Sequence, residues 1–454
     1  MKRLFNPKSV AVVGVSTNSS KVGHVIFSNL IKNGYDGKVF AINPKHKTIL
    51  GKECYPSLRA IPKVDVAIIA VPAKFVPNVL LDGIKNNIKN YIIISGGFGE
   101  SNNTELTNKL MNIINTYKIN VLGPNCIGIL NTKNKFDTVF FPLHKMDRPP
   151  FGKISIISQS GGIATAIIDK AANLGIGLSK VISYGNAYNI NETDLLNYLK
   201  NDDETNVIVM YLESVKDGRR FTKILKETNK KKPIIILKAG KETKGKEAAK
   251  THTGSMSSDY IAFKASFKTS GVLEANNLTD LFNYIKIFSQ PLPKGKNLGI
   301  ITNGGGLGVM ATDEAIKHKL NIPELNKEDI DMLKPFIPSY VTIANPFDLV
   351  ADADVDRYKR ALDVFMNAKN IDMVLINVLF QAPSISEQLL NPIIESSANR
   401  NKPIAVVIPG GRWSEAFATI LSMNNVPTYD SPEQAIKSLR KLYEYARFKR
   451  LNKK

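Results

Sequence analysis

The stretch AAKTHTGSMSSDY, residues 248–260, sets His252 among small hydroxyl residues and a glycine. An imidazole changes charge near neutral pH and can act as a base or a nucleophile. A solvated loop histidine is the plain alternative, and this stretch alone does not separate the two. A metal site is a poor fit. The chain has five histidines and two cysteines, all scattered, and none stands beside His252 to share an ion.

A second constellation lies near the N-terminus. VAVVGVSTNSSKVGHVIFSNL, residues 10–30, reads as a strand, a tight turn and a helix. Backbone amides at such a turn attract phosphate. The turn runs Gly14-Val15-Ser16 and then Lys21-Val22-Gly23, with Ser16 where a dinucleotide fingerprint has its middle glycine. The next strand, KVFAINPKHK, ends in Asn43-Pro44-Lys45-His46-Lys47. NAD binding asks for an acidic residue there, to hold the ribose 2′-hydroxyl. Lys45 and Lys47 instead suit a ribose phosphate, as in NADP or coenzyme A, or form a solvated basic turn. Later strand ends read AVPAK, SGGFGE and GPNCIGI, whose small residues leave room for a ligand in the crevice.

One motif is a near-miss. Gly240 to Lys246, GKETKGK, satisfies G-x-x-x-x-G-K, but Glu247 stands where a P-loop needs Ser or Thr for magnesium. This segment reads as a basic lead into the His252 loop.

The elements that position these residues alternate throughout. Short β-branched runs such as SVAVVGV, VDVAIIAV, KISIISQ, NVIVMYL, KPIIILKAG, NLGIITNGG and KPIAVVIPGG are separated by longer amphipathic segments. Continuous apolar strands between helices predict parallel sheets covered on both faces. Two Pro-containing joints, PLHKMDRPPFGK and SQPLPKGK, divide the chain. The expected fold class is therefore α/β, with three doubly wound domains, 1–141, 150–288 and 295–454. The last two read as distant copies. GKISIISQSGGIATAIIDKA resembles GKNLGIITNGGGLGVMATDEA, and KPIIILKAG resembles KPIAVVIPGG. They differ where chemistry would sit. The second unit has the His252 loop and a strand ending in Glu213. The third follows its matching strand with RWSEAFATI and ends the other in Phe380.

Composition narrows the function classes. Two cysteines, Cys54 and Cys126, make no disulfide framework, which fits a reducing cytosol. The N-terminus has no secretory apolar core, and no apolar run reaches membrane-spanning length, so neither export nor a membrane is expected. The net charge is +21, but the lysines are spread in ones to threes with no aromatic-interleaved patch, which argues against nucleic acid. An acidic protein partner or a polyphosphate ligand accounts for the charge equally well.

Taken in order, GVSTNSSKVG, AINPK, AVPA, SGGFGE, GPNCIGI, SQSGG, YLESVKDGRRF, KAGK, THTGS, ITNGGGLGV and NPFDL resemble the α subunits of ADP-forming acetyl-CoA synthetases. These belong with succinyl-CoA synthetase among the nucleoside-diphosphate-forming acyl-CoA synthetases. The resemblance runs essentially from end to end. It implies a Rossmann-like CoA-binding domain, a succinyl-CoA-synthetase-like flavodoxin domain and a third, ligase-CoA-type domain that is also flavodoxin-like. It implies a phosphohistidine at His252 in THTGS and an acidic partner at Glu213 in YLESV. For CoA, the residues in matching motifs are Gly14, Ser16, Lys21, Asn43, Pro44, Lys45, Val71, Pro72, Ser95, Gly97, Asn125 and Cys126. Lys45 and Lys47 compete for the phosphate contact. SGGFGE departs from the commoner Ser-Ala-Gly-Phe pattern.

The implied reaction turns acyl-CoA, phosphate and ADP into acid, CoA and ATP through an acyl phosphate and a phosphohistidine. Such a phosphoryl group needs a cradle. Ser160, Gly161 and Gly162 at the SQSGG strand-to-helix turn offer backbone amides for it. No P-loop or ATP-grasp segment is legible, so Mg-ADP or ATP is expected mainly on a separate β subunit with an ATP-grasp domain, in an α₂β₂ assembly. A CoA-binding regulatory protein without turnover, or a fragment of a larger acyl-CoA-dependent enzyme, is the alternative; pure binding would need neither His252 nor Glu213. An NADP-dependent oxidoreductase ranks below it, because no general acid with a substrate pocket can be placed.

Overall fold

The computed structural model describes residues 1–245, 247 and 260–452. The chain divides into two compact units, 1–274 and 275–454.

The first unit holds two seven-stranded sheets. One is built from β1 (Ser9–Val13), β2 (Lys38–Ile42), β3 (Thr48–Ile49), β4 (Lys52–Tyr55), β5 (Val66–Ile69), β6 (Asn90–Ile93) and β7 (Asn120–Leu122). Their order is β3-β4-β2-β1-β5-β6-β7, parallel except for the β3–β4 pair. The order reverses at β1, so the ends of β1, β2 and β5 open on a switch-point crevice. Alternate residues of β1 enter different cores. Val10 and Val12 pack with Phe27 and Leu30, while Ala11 and Val13 pack with Leu80 and Leu110. Both faces are thus covered, which is why this strand is apolar without alternation.

The other sheet of this unit adds β8 (Gly128–Asn131), β9 (Phe136–Asp137), β10 (Phe151–Ser158), β11 (Leu178–Ser183), β12 (Val207–Leu212), β13 (Ile234–Lys238) and β14 (Leu273–Ala275). Its order is β14-β13-β12-β10-β11-β8-β9. β10 to β13 pair in parallel, and β8 runs antiparallel to β11. Strand β8 lies before the joint at 142–153, yet it completes this sheet.

The second unit has one five-stranded sheet, with β16 (Phe347–Asp348), β15 (Leu298–Thr302), β17 (Met373–Asn377), β18 (Ile404–Val407) and β19 (Thr428–Tyr429) in that order. All its pairs are parallel. Its strands also feed two cores: Val374, Ile376, Ile404 and Val406 on one face, Met373, Leu375, Ala405 and Val407 on the other. The α/β class and the three parallel-dominated sheets match the sequence reading. Among the described residues no helix is long and apolar enough to cross a membrane.

Candidate functional site

The turn after β1 is built by two glycines in contact. Gly14 has φ +92°, and a Cβ there would stand 2.5 Å from the Ala70 carbonyl oxygen. A Cβ on Gly23, in the first turn of the helix Val22–Lys32, would collide with the Gly14 carbonyl oxygen. These are the tight-turn and close-packing roles of a dinucleotide fingerprint, with more chain between them. The intervening residues loop outward: Thr17 to Lys21 are exposed, and the Ser16 carbonyl bonds His24 Nδ1 at 2.7 Å. Asn43 ties the neighbouring loop to this turn, donating from Nδ2 to the Val15 carbonyl at 2.6 Å and accepting from the Lys45 amide at 2.8 Å. Pro44, Lys45 and Lys47 are exposed around it.

The other candidate residues of this sheet lie on the loops after β5, β6 and β7. Ser95 Oγ donates to the Val71 carbonyl at 2.5 Å, and Pro72 beside it is exposed. Gly97 has φ +105°, and its amide donates to Glu100 Oε1 at 2.5 Å. Phe98 donates to the same oxygen at 3.2 Å. Burial pushes the Glu100 carboxyl up, but these amides and Asn186 outweigh it and hold it below the usual range. Asn125 is exposed, with φ +59°, and its amide reaches the Ser95 carbonyl at 3.0 Å. Cys126 points the other way. Its thiol is buried against the Ile93 carbonyl at 3.4 Å, and burial pushes it up to about 12.

A strap from the second sheet runs along this edge. After β11, the amides of Asn186, Tyr188 and Ile190 donate to the carbonyls of Pro124, Gly123 and Val121 at 3.0, 3.2 and 3.1 Å. Asn186 Nδ2 donates to Glu100 Oε2 at 2.5 Å, and the Tyr188 hydroxyl accepts from the Gly99 amide at 2.9 Å. The glycine loop of the first sheet is therefore held from the second. Glu100 lies in SGGFGE, but the sequence does not mark its role, because its partners are 3 and 86 residues away.

The second sheet brings the phosphate-cradle candidates to Glu213. Ser160 caps the helix Gly161–Asn173, its Oγ accepting from the Ile163 amide at 3.4 Å. First-turn amides of a helix have no intrahelical acceptor. A Cβ on Gly162 would approach nothing closer than Ser160 Oγ at 3.9 Å, so this turn is open. Gln159 joins it to β12: its Oε1 accepts from the Glu213 and Ser214 amides at 2.8 and 3.0 Å, and its Nε2 donates to Ser214 Oγ at 3.0 Å. Glu213 is buried, 5% exposed. Burial and then the Glu213 carboxylate raise the neighbouring Tyr211 phenol. Tyr184, fully buried, leaves its hydroxyl without a hydrogen-bond partner among the described residues, and its phenol is raised by burial, then by Glu192 and Glu213. Lys238, at the end of β13, donates to the Glu213 carbonyl at 2.9 Å. His252 lies outside the described residues.

Two family models match the chain: a CoA binding domain over residues 8–132 and a succinyl-CoA ligase-like flavodoxin domain over 151–288. The I subunit alpha of the ADP-forming acetate–CoA ligase from Pyrococcus furiosus is 38% identical over 100% of this chain and 99% of its own length. The chain belongs to the ADP-forming acetate–CoA ligase family. The family's member from Methanocaldococcus jannaschii is 39% identical over 99% of this chain, which spans 64% of that protein's length. The ligase fold is shared as well. The solved dinucleotide-forming acetyl-coenzyme A synthetase 1 of Ca. Korarchaeum cryptofilum, in complex with phosphate and ADP, superposes with a TM-score of 0.93 at 33% identity, over 99% of this chain and 97% of that one.

Proposed function

We propose that this chain is the α subunit of an ADP-forming acyl-CoA synthetase acting on acetyl-CoA or a similar small thioester. The observation that carries this reading is the match to an α subunit over the full length of both chains. A phosphate oxygen attacks the thioester carbonyl, the carbon–sulfur bond breaks, and CoA leaves as the thiol after taking a proton. The acyl phosphate then gives its phosphoryl group to His252, releasing the carboxylate, and the N–P bond later breaks in favour of the β-phosphate oxygen of ADP. Glu213 orients the imidazole and offsets the charge of the phosphohistidine. The Ser160-Gly161-Gly162 turn holds the phosphoryl oxygens.

CoA lies in the first domain, taken as residues 1–141, with Gly14, Ser16, Asn43, Ser95 and Gly97 shaping the crevice and Lys45 or Lys47 meeting the 3′-phosphate. The domains 150–288 and 295–454 supply the phosphohistidine loop and a docking surface. A separate subunit with an ATP-grasp domain supplies the nucleotide and its magnesium, in a cytoplasmic α₂β₂ enzyme.

The test is labelling. Acetyl-CoA and radioactive phosphate are given to the chain reconstituted with its partner. The expected product is acid-labile, base-stable phosphoenzyme, absent in His252→Ala. Normal labelling of that variant would remove His252 from the mechanism. Efficient labelling of the chain alone by Mg-ATP would remove the partner.

A further inference from the structure

We infer that Lys238 is a positioning residue for this reaction, an inference that rests on the proposed role of Glu213. The sheet registers give the reason. Ser158 of β10 pairs with Tyr211 of β12, which pairs with Leu237 of β13. In the second unit Thr302 of β15 pairs with Asn377 of β17, which pairs with Val407 of β18. Each following residue therefore corresponds: Lys238 occupies the place of Ile408. Ile408 is 4% exposed and packs in an apolar core. Lys238 is 2% exposed. The scaffold thus accepts a plain hydrocarbon where the first unit buries an ammonium, and burying an ammonium is unfavourable unless hydrogen bonds offset it.

Two such hydrogen bonds tie the adjacent ends of β12 and β13 together. Lys238 Nζ donates to the Glu213 carbonyl at 2.9 Å and to the Ala239 carbonyl, and it stands 4.7 Å from the centre of the Phe263 ring. The Glu213 amide is meanwhile held by Gln159 Oε1 at 2.8 Å. Both sides of the residue carrying the carboxylate are fixed. The copy manages this with one side chain: Asn303 accepts from the Leu379 amide at 2.8 Å and donates to the Leu379 carbonyl at 3.2 Å. In the first unit the amide of Gln159 is turned to Ser214 instead, and the lysine takes over the carbonyl. Its length also reaches Phe263, in the helix Tyr260–Ser270 that follows the THTGS segment in the chain. Lys238 therefore fixes the strand end that presents Glu213 relative to the elements on either side of it.

The test uses the chain reconstituted with its partner, acetyl-CoA, inorganic phosphate and Mg-ADP. Lys238→Ile installs the residue the copy tolerates. The expected result is a fall in kcat of about 10²-fold, the loss that follows from slight misplacement of a reacting group. The KM for CoA stays within about twofold and Tm within about 3 °C, since the scaffold accepts isoleucine here. Hydrogen exchange of the 212–214 amides quickens, and Lys238→Arg, which keeps the donors, recovers much of kcat. A kcat for Lys238→Ile within about threefold of wild type overturns the inference. So does a variant that unfolds, or that loses CoA affinity together with turnover, since either marks a merely structural lysine. Wild-type protein that makes no ATP and no phosphoenzyme would instead sink the reading of the reaction itself.

Discussion

The parallel core β10 to β13 in the first unit and the sheet of the second unit are one design used twice, and the differences that bear on chemistry lie at the strand ends. Both turn from a central strand into a helix through the same hydroxyl contact, Ser158 Oγ to the Ser160 carbonyl at 2.6 Å and Thr302 Oγ1 to the Gly304 carbonyl at 3.0 Å. Both then hold the neighbouring strand end with a side-chain amide, Gln159 or Asn303. Against that common frame four of the differences run one way. Ser160 corresponds in register to Gly304, Tyr184 to Leu349, Glu213 to Leu379 and Lys238 to Ile408. At these four places the copy keeps the packing and drops the polar atoms. It also spoils its helix N-terminus for an anion: a Cβ on Gly305 would stand 2.9 Å from Asp348 Oδ2, so a carboxylate already occupies that end. What the two sheets share is the requirement of the fold. What only one has is left over for chemistry.

The sharpest way to break this comparison is to give the first unit the residue of the second. Glu213→Leu should cost little stability, because the site is buried and the copy packs a leucine at the matching place. It should lower turnover by about 10³-fold, within the range for loss of a group that orients a catalytic imidazole. Phosphoenzyme formation in a rapid-quench measurement should slow in step. Full turnover in Glu213→Leu would mean that the carboxylate is a relic, and the difference between the sheets would lose its meaning.

Ser160→Gly makes the same exchange at the helix cap. Substituting a serine cap by glycine costs only a few tenths of a kcal/mol. If the hydroxyl also meets a phosphoryl oxygen, the KM for phosphate should rise about tenfold, the equivalent of one hydrogen bond to a charged group. The KM for CoA should not move. A rise in both would place Ser160 in the scaffold rather than in the cradle.

How much of this was legible beforehand follows from where the information resides. The strands of the parallel cores are short apolar runs between helices, and the sequence marks them, because burial on both faces leaves no polar position to confuse the period. Strands β3, β8 and β9 are two to four residues long and carry no period of their own. Their pairing is decided by what lies beside them. The repeat was visible too, and with it Ser160 and Glu213. The match to Glu213 was off by one: the sequence set it against Phe380, and the sheet register sets it against Leu379. Lys238 and Tyr184 needed that register to stand out, since a lysine or tyrosine at a strand end is unremarkable until its counterpart is known. Glu100 needed the fold outright, because Asn186 reaches it from another sheet. The Gly14–Gly23 contact hid for a different reason. The fingerprint spacing is stretched by an outward loop, while the steric demand that selects both glycines is unchanged.

The smallest effect belongs to the reverse exchange, Leu379→Glu. Leu379 is only partly buried, so a glutamate can turn its carboxylate to water and stability should change by no more than about 1 kcal/mol. A carboxylate alone should not create a second site. The cavity at this turn, ≈390 Å³, is lined by Asp313 and Asp348 as well as Gly305 and Gly308, and a further negative charge nearby repels a phosphate. The matching helix cap is a glycine, and RWSEAFATI supplies no histidine. Turnover of Leu379→Glu should therefore stay within about twofold of wild type, as for a surface change remote from chemistry. Radioactive phosphate should label the variant no more than the parent. A tenfold loss of turnover in a variant with unchanged Tm would show that the second unit takes part in the reaction at this strand end. The two sheets would then be partners in catalysis, not a working copy beside a silent one.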